Sequence, residues 1–389
     1  PNLQEFGVIC TMKVLFVATV RSHIGQFHMP FIRELVRRGC RVEAAFKDNS
    51  ADKPGLDLSG IARTYEVPFS RSPYSVDNLK AYQVLKKIID EGRYDAIHCH
   101  TPMGAVVTRL AARDARKRGT KVIYTAHGFH FYNGAARKNW LLFYPVEKAL
   151  AKDTDCLITI NSEDYNTAKA RQFAAGRLEL VNGVGVDLSD FQPVTREQKL
   201  ALRRAYGYSP DDFILIYPAD FSTRKNQNML FDTLKLLLEK NKHFRLLLPG
   251  SDVEARPFLD YAKSIGVADH VEALGYRRDI RQLVGLSDVS VSSSRQEGLP
   301  INLVEAMALG NPVVATDVRG NRDLVQDGES GYLVPLNDSR VMADRIWSLY
   351  TDPEQTAAFG VAGRTLAQDY AVEPVLHRMI EIYQALELL

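Results

Sequence analysis

Cysteine is scarce in this 389-residue chain, which has only Cys10, Cys40, Cys99 and Cys156. Their spacing fits neither a zinc site nor a disulfide framework, so a reducing cytoplasmic compartment is expected. No run of about 18 apolar residues occurs, and no transmembrane helix is expected. No leader pattern is visible either. Neither G-x-x-x-x-G-K-[ST] nor H-E-x-x-H is present, which removes P-loop and zincin chemistry. Internal repeats and low-complexity tracts are also lacking.

Net charge is small, at +2, but it is unevenly placed. Residues 12–190 hold 27 Lys+Arg against 19 Asp+Glu, and residues 191–389 hold 22 against 27. A basic first half suits an anionic membrane surface or an acidic substrate; ordinary solvated surface is the alternative. Nothing points to nucleic acid.

What the chain does have is material for two cores. Hydrophobic residues make up 46% and charged residues 25%, a balance that fits a water-soluble globular protein of this length with two domains. Residues 1–11 look unlike the rest and read as an upstream or added segment. From Met12 a strand, MKVLFVATV, opens a βα alternation. A loop with His23, Gly25 and His28 follows, then the helix PFIRELVRRG and the strand CRVEAAF. The strands YDAIHCH, KVIYTAHG and CLITIN come later, separated by helical stretches. This order implies a parallel, doubly wound sheet over 12–190. The Gly-, Asp- and Pro-rich VNGVGVDLSDFQPVT reads as a linker. The alternation restarts in DFILIYPAD, FRLLLPGS, VEALG, DVSVSSS and PVVATD, which makes 191–373 a second such domain. A final helix, about 374–389, is expected to return to the first.

One stretch concentrates the chemistry: SRQEGLPINLVEAMALGNP, Ser294–Pro312. It reads as a loop entering a short helix, with Pro300 at the first helical position and Gly310 at its end. Free amides and the helix dipole there suit a phosphate. Glu297 in the loop and Glu305 in the helix can accept hydrogen bonds from sugar or ribose hydroxyls. His127, Asp220, Gly250, Gly275 and Glu297 all fall just past expected strand ends, where doubly wound sheets bind ligands.

The ordered set TAHGFHFY, VNGVGVDLSDF, ADFSTRKNQ, LLLPGS, EGLPINLVEAMALGNPVVAT and DGESGYLVP resembles the family 4 retaining glycosyltransferases of the GT-B fold. The likeness runs from Met12 to Leu389. The stretch from HCHTP through NWLLFYPVEK to TINSEDY is similar to the branch that assembles capsule and exopolysaccharide repeat units. This resemblance implies two Rossmann-like α/β domains facing across a cleft. It also implies transfer of a sugar from a UDP-sugar with retention, without metal or other cofactor, to a saccharide acceptor linked to polyprenyl diphosphate. The expected place is the inner face of the cell membrane.

Carried over by motif position, Glu305 would hold ribose, Glu297 would face the donor sugar, and amides at Gly298, Leu299, Pro300 and Ile301 would approach the diphosphate or sugar. Lys225 would neutralise the leaving group, with Arg224 in place of the arginine that many members carry at the position of Asp220. Gly250 would lie in the donor site and Gly25 would leave room for donor phosphates. His127 would contact the sugar, while His28, His100 and His130 are acceptor-side positions. Each has a structural reading too: Glu305 as a surface carboxylate, Lys225 and Arg224 as solvated charge, His127 as a structural histidine. His98-Cys99-His100 resembles ligand spacing, but strand alternation puts both histidines on one face and an acceptor-side or structural role ahead of metal. Asp153-Thr154-Asp155 reads as a helix-to-strand turn. A sugar-nucleotide epimerase and a non-catalytic nucleotide-sugar module are the competing functions.

Overall fold

A computed structural model describes residues 12–53 and 55–389. The expected upstream segment, residues 1–11, lies outside the described residues. In β1 (Lys13–Val20), Val14, Phe16 and Ala18 enter one core while Leu15 and Val17 enter another. That two-residue alternation, with both faces apolar, is what a parallel strand covered on both sides requires. β2 (Arg41–Lys47), β3 (Arg63–Glu66), β4 (Ala96–His100), β5 (Lys121–Ala126), β6 (Cys156–Thr159) and β7 (Arg177–Leu180) complete the first sheet, in the order β3-β2-β1-β4-β5-β6-β7. Every pairing in it is parallel.

The second sheet holds β8 (Phe213–Ile216), β9 (Phe244–Pro249), β10 (Val271–Gly275), β11 (Val289–Ser292), β12 (Val313–Thr316) and β13 (Gly331–Val334), in the order β10-β9-β8-β11-β12-β13. It too is parallel throughout. Each sheet reverses its winding once, between β1 and β4 and between β8 and β11. At such a point the loops leaving the two neighbouring strands diverge and open a crevice at their carboxyl ends.

The chain forms two compact units, residues 12–185 with Val372–Leu389, and Val186–Ala371. The boundary falls at Gly185, a few residues before the expected one, because Val186 and Leu188 are already buried in the second unit's core. The closing helix Val372–Ala385 belongs to the first unit, where Tyr383 packs edge-on against Phe31 and its hydroxyl lies 3.0 Å from His98 Nδ1.

Three local expectations need correction. Gly25 is not in a loop: residues Arg21–Phe27 are helical, and a Cβ at Gly25 would stand 3.0 Å from Leu56 Cβ, so the glycine admits a packing neighbour. Pro300 is not the first helical residue but the extended cap before it, at φ −81° and ψ 104°. The positive excess of the first half is less free than expected over Arg109–Arg118. Arg109 is buried and bonds Glu147 at 2.7 Å, while Arg113, Arg116 and Arg118 pair with Asp153, Asp155 and Asp90. Asp153 and Asp155 do occupy the turn between a helix and β6.

The aromatic side chains of the helix Arg137–Ala151 also turn inward. Trp140, Phe143 and Tyr144 pack on the first unit's core, and Leu141, Leu142 and Val146 are the exposed apolar residues. Among the described residues no helix is long and apolar enough to cross a membrane. Cys99 and Cys156 are buried free thiols, and Cys40 is buried as well.

Candidate active site

In the second unit the crevice between β8 and β11 is built by two loops that hold each other. The Arg295 amide donates to the Arg224 carbonyl at 2.9 Å, and Ser293 Oγ donates to the Lys225 carbonyl at 2.8 Å. Arg295 also reaches Asn226 Oδ1 at 2.7 Å, fixing a residue in the left-handed region (φ 57°) at the head of the helix Gln227–Lys240. These bonds place Arg224 and Lys225 opposite Glu297. Lys225 Nζ lies 2.5 Å from Glu297 Oε1, and Arg224 Nη1 lies 3.2 Å from Oε2. Ser294 Oγ donates to the same carboxylate and stands 2.7 Å from the hydroxyl of buried Tyr217. Burial alone would raise the Glu297 carboxyl. Lys225 and then Arg224 outweigh it and hold the group below its ordinary value.

Past Glu297 the chain enters the helix Ile301–Ala308 without any side-chain cap. Among the described residues the amides of Gly298, Leu299 and Ile301 donate to no protein acceptor. Uncapped amides at a helix start form an anion site. The helix ends as its sequence dictates: the amides of Gly310 and Asn311 return to the carbonyls of Met307 and Ala306, with Gly310 at φ 81°. One turn in from the start stands Glu305. Its carboxylate has no partner among the described residues, and burial pushes it up to about 7. A largely buried, unpaired carboxyl beside free amides is poised for hydroxyl donors brought by a ligand.

Gly250 and Asp220 serve the frame. A Cβ at Gly250 would lie 2.2 Å from the Ala219 carbonyl oxygen, so the loops after β8 and β9 approach this closely only over glycine. Asp220 Oδ1 accepts the Ser251 amide at 2.6 Å, which accounts for this residue as a clamp between those loops. Sequence reasoning missed Arg319. It is buried, and its Nε donates to the Glu297 carbonyl at 2.9 Å, steadying the motif from the loop after β12. The signal was there, because Arg319 follows a strand end in the same way as the residues that were singled out.

The first unit gathers its histidines at the carboxyl ends of β1, β4 and β5. The rings of His28 and His100 stack with centroids 3.7 Å apart, and His127 meets His23 edge-on at 4.5 Å. Two acceptor-side positions, His28 and His100, thus join His127, and so does His23, which sequence reasoning left in a plain loop. His130 does not join them; its ring packs on Phe143 at 4.6 Å. Strand alternation holds for His98 and His100, whose rings lie 4.3 Å apart on the face opposite Cys99. His98 is engaged by Tyr383 and, at 2.8 Å, by Thr125 Oγ1. Burial lowers all these imidazoles, His127 to about 4, so they are neutral at pH 7. Next to His100, Thr101 sits at φ 63°. Its Oγ1 lies 2.6 Å from Thr19 Oγ1, a contact that joins the end of β1 to the residue just after β4 at the winding reversal.

Two family models match the chain: "Glycosyl transferase 4-like domain" over residues 24–183 and "Glycosyl transferases group 1" over 198–366. The Bacillus subtilis (strain 168) protein EpsD, whose name calls it a glycosyltransferase, is 44% identical over 375 residues, spanning 96% of this chain and 97% of the relative. This chain belongs to the family 4 glycosyltransferases. The enzyme is also 28% identical over 291 residues to the Escherichia coli UDP-Gal:alpha-D-GlcNAc-diphosphoundecaprenol alpha-1,3-galactosyltransferase, covering 72% of this chain and 73% of that one. Its fold matches Anabaena Alr3699/HepE, solved in complex with UDP and glucose, at a TM-score of 0.79 and 22% identity, over 96% of this chain and 100% of that one. The fold is GT-B and the chain is an enzyme of glycosyl transfer.

Proposed function

We propose that this glycosyltransferase moves a sugar from a UDP-sugar to a saccharide linked to a lipid diphosphate, with retention, in assembly of a surface polysaccharide. The observation that carries the donor side is the unpaired, partly buried Glu305 beside the free amides of Gly298, Leu299 and Ile301. A carboxylate for ribose next to donors for a diphosphate matches the two ends of a nucleoside diphosphate. The name of the Escherichia coli relative supports a lipid-diphosphate acceptor. Exposed Leu141, Leu142 and Val146, flanked by exposed Arg137 and Lys138, support contact of the first unit with an anionic membrane surface.

In this reading the bond from the anomeric carbon to the diphosphate oxygen breaks, and negative charge grows on the leaving group. Lys225 and Arg224 turn from Glu297 toward that charge, and the free amides join them, so the chemistry needs no metal at the diphosphate. Glu297 is left to face the sugar. His127 contacts the sugar as a neutral imidazole. The acceptor oxygen bonds to the anomeric carbon on the face the diphosphate leaves, and its proton passes to a phosphate oxygen. No protein base is required.

The test is a panel of UDP-sugars assayed by UDP release, with and without a lipid-diphosphate saccharide, with the product's anomeric configuration read by NMR. The expected result is acceptor-dependent release with one donor and a retained configuration. An inverted product, or conversion of the donor without a new glycosidic bond, overturns the reading.

A further inference from the structure

Histidine is sparse, nine in the whole chain, yet four converge. His23, His28, His100 and His127 each present one ring nitrogen within 4.8 Å of those of the other three. Three of the four carry a second mark: the Nε2 atoms of His23, His28 and His100 are buried and have no hydrogen-bond partner. A buried polar atom left unpaired is costly, so three in one cluster point to something that would bind them. Neighbouring His98 does not share the deficit, because both its ring nitrogens are engaged.

We propose that His23, His28, His100 and His127 form a binding site for one divalent transition-metal ion of the Zn²⁺ class. Imidazole nitrogen is a favoured ligand for Zn²⁺ and its neighbours in the first transition row, whereas Mg²⁺ and Ca²⁺ take oxygen, which this donor set does not offer. Burial keeps the four imidazoles neutral near pH 7, so no proton must be expelled before a lone pair can ligate. A tetrahedral ion with bonds of about 2.0–2.1 Å sets its ligand nitrogens roughly 3.4 Å apart, so the rings must draw in by about 1 Å. A cavity of about 30 Å³ against His28 and His100 gives those rings room to settle. His23 and His127 are only half-buried, which leaves the ion a way in.

The site rests on the functional reading in one respect. A metal-held His127 cannot also meet the donor sugar, so a bound ion slows transfer. Metal binding itself does not depend on that reading.

Metal-stripped full-length protein titrated with Co²⁺ tests the site. The expected result is one equivalent bound with the strong visible absorption of four-coordinate Co²⁺, abolished by one equivalent of Zn²⁺. His28→Ala with His100→Ala should weaken binding by more than about 100-fold, while His130→Ala should keep it. His28→Asn is the milder variant should the double change fail to fold, and UDP binding, carried by the second unit, reports the state of the rest of the chain. Sub-stoichiometric Co²⁺, a weak six-coordinate spectrum, or binding unchanged in either His28 variant overturns the proposal. Metal binding that fails while UDP still binds leaves the donor-site reading standing.

Discussion

Lys225 Nζ lies 2.5 Å from Glu297 Oε1, so the cation proposed for the leaving group is held by the carboxylate proposed for the sugar. Both side chains are largely buried, and Glu297 keeps its charge only because Lys225 and Arg224 outweigh the cost of burial. The pair therefore stores the cation where the diphosphate arrives. Removing Lys225 should cost turnover and also leave a buried charge with a weaker partner. Lys225→Ala is expected to lower kcat by about 100-fold or more. It should also destabilise the second unit by roughly 2 kcal/mol. The double variant Lys225→Ala, Glu297→Gln should recover much of the stability and none of the turnover. Thermal melts and UDP-release kinetics on the single and double variants check both halves; stability that falls further in the double variant would deny the coupling.

Glu305 gives a pH dependence of defined sign. Its carboxyl is raised from 4.5 to about 7 by burial. Below its ordinary value it is protonated in folded and unfolded chains alike, and it costs nothing. As pH rises from its ordinary 4.5 to about 7 the unfolded chain ionises this group while the fold does not, and stability is lost across that window. Glu305→Gln should therefore be neutral for stability at acid pH and more stable than the parent by about 2 kcal/mol at mildly alkaline pH. The same change should weaken UDP binding by about tenfold or more, since charge-assisted bonds to hydroxyls are worth roughly 1.5–3 kcal/mol. Calorimetry near neutral pH, in buffers of different ionisation enthalpy, should show proton release when UDP binds the parent and none in the variant.

Arg109 anchors the first unit, and its loss should leave nucleotide binding alone. It bonds Glu147 at 2.7 Å, donates to the Ala105 carbonyl at 3.1 Å and covers the Tyr124 ring at 4.4 Å. Arg109→Ala strands Glu147 in the interior, at an expected cost of about 3–5 kcal/mol to that unit. Arg109→Lys should recover little, because an ammonium cannot hold the carboxylate, the carbonyl and the ring face together. Differential scanning calorimetry should show the loss, and UDP titration should give an unchanged Kd, because the residues proposed for ribose and diphosphate belong to the second unit.

The βα alternation, its restart after the linker and the Glu297–Glu305 motif were legible in sequence because each is a local pattern. Strand periodicity shows in β1 without any partner, and Gly310 ends its helix by its own backbone freedom. What was hidden depends on residues far apart in the chain. His23 reads as loop until His100 and His127 arrive from other strands, and Arg319 reads as surface until its Nε is seen on the Glu297 carbonyl. Arg109 looked like part of a cationic face because the sequence does not show that Glu147, on another helix, neutralises it. The helix Arg21–Phe27 was taken for a loop because it has a glycine at its centre, and the contact with Leu56 that makes this glycine useful comes from a distant segment.

Gly320 and Gly207 separate backbone strain from steric support of the donor loop. Both sit at φ 81°, but ψ is 18° at Gly207, in the left-handed region where alanine costs about 1–2 kcal/mol, and −45° at Gly320, outside that region, where alanine is strained further. Their surroundings differ. A Cβ at Gly320 would stand 2.7 Å from the Gly298 carbonyl oxygen and 3.2 Å from Glu297 Cβ, whereas nothing lies within 4 Å of one at Gly207. Gly320→Ala must therefore push the Gly298 loop, and with it the amides proposed for the diphosphate and the carboxylate that holds Lys225. UDP affinity is expected to fall by about tenfold, the equivalent of roughly 1.4 kcal/mol. Gly207→Ala should lose less stability and keep the parent Kd. Equal UDP affinities in the two variants would mean that the Gly298 loop does not touch the nucleotide, and the anion site would have to be sought elsewhere in the second unit.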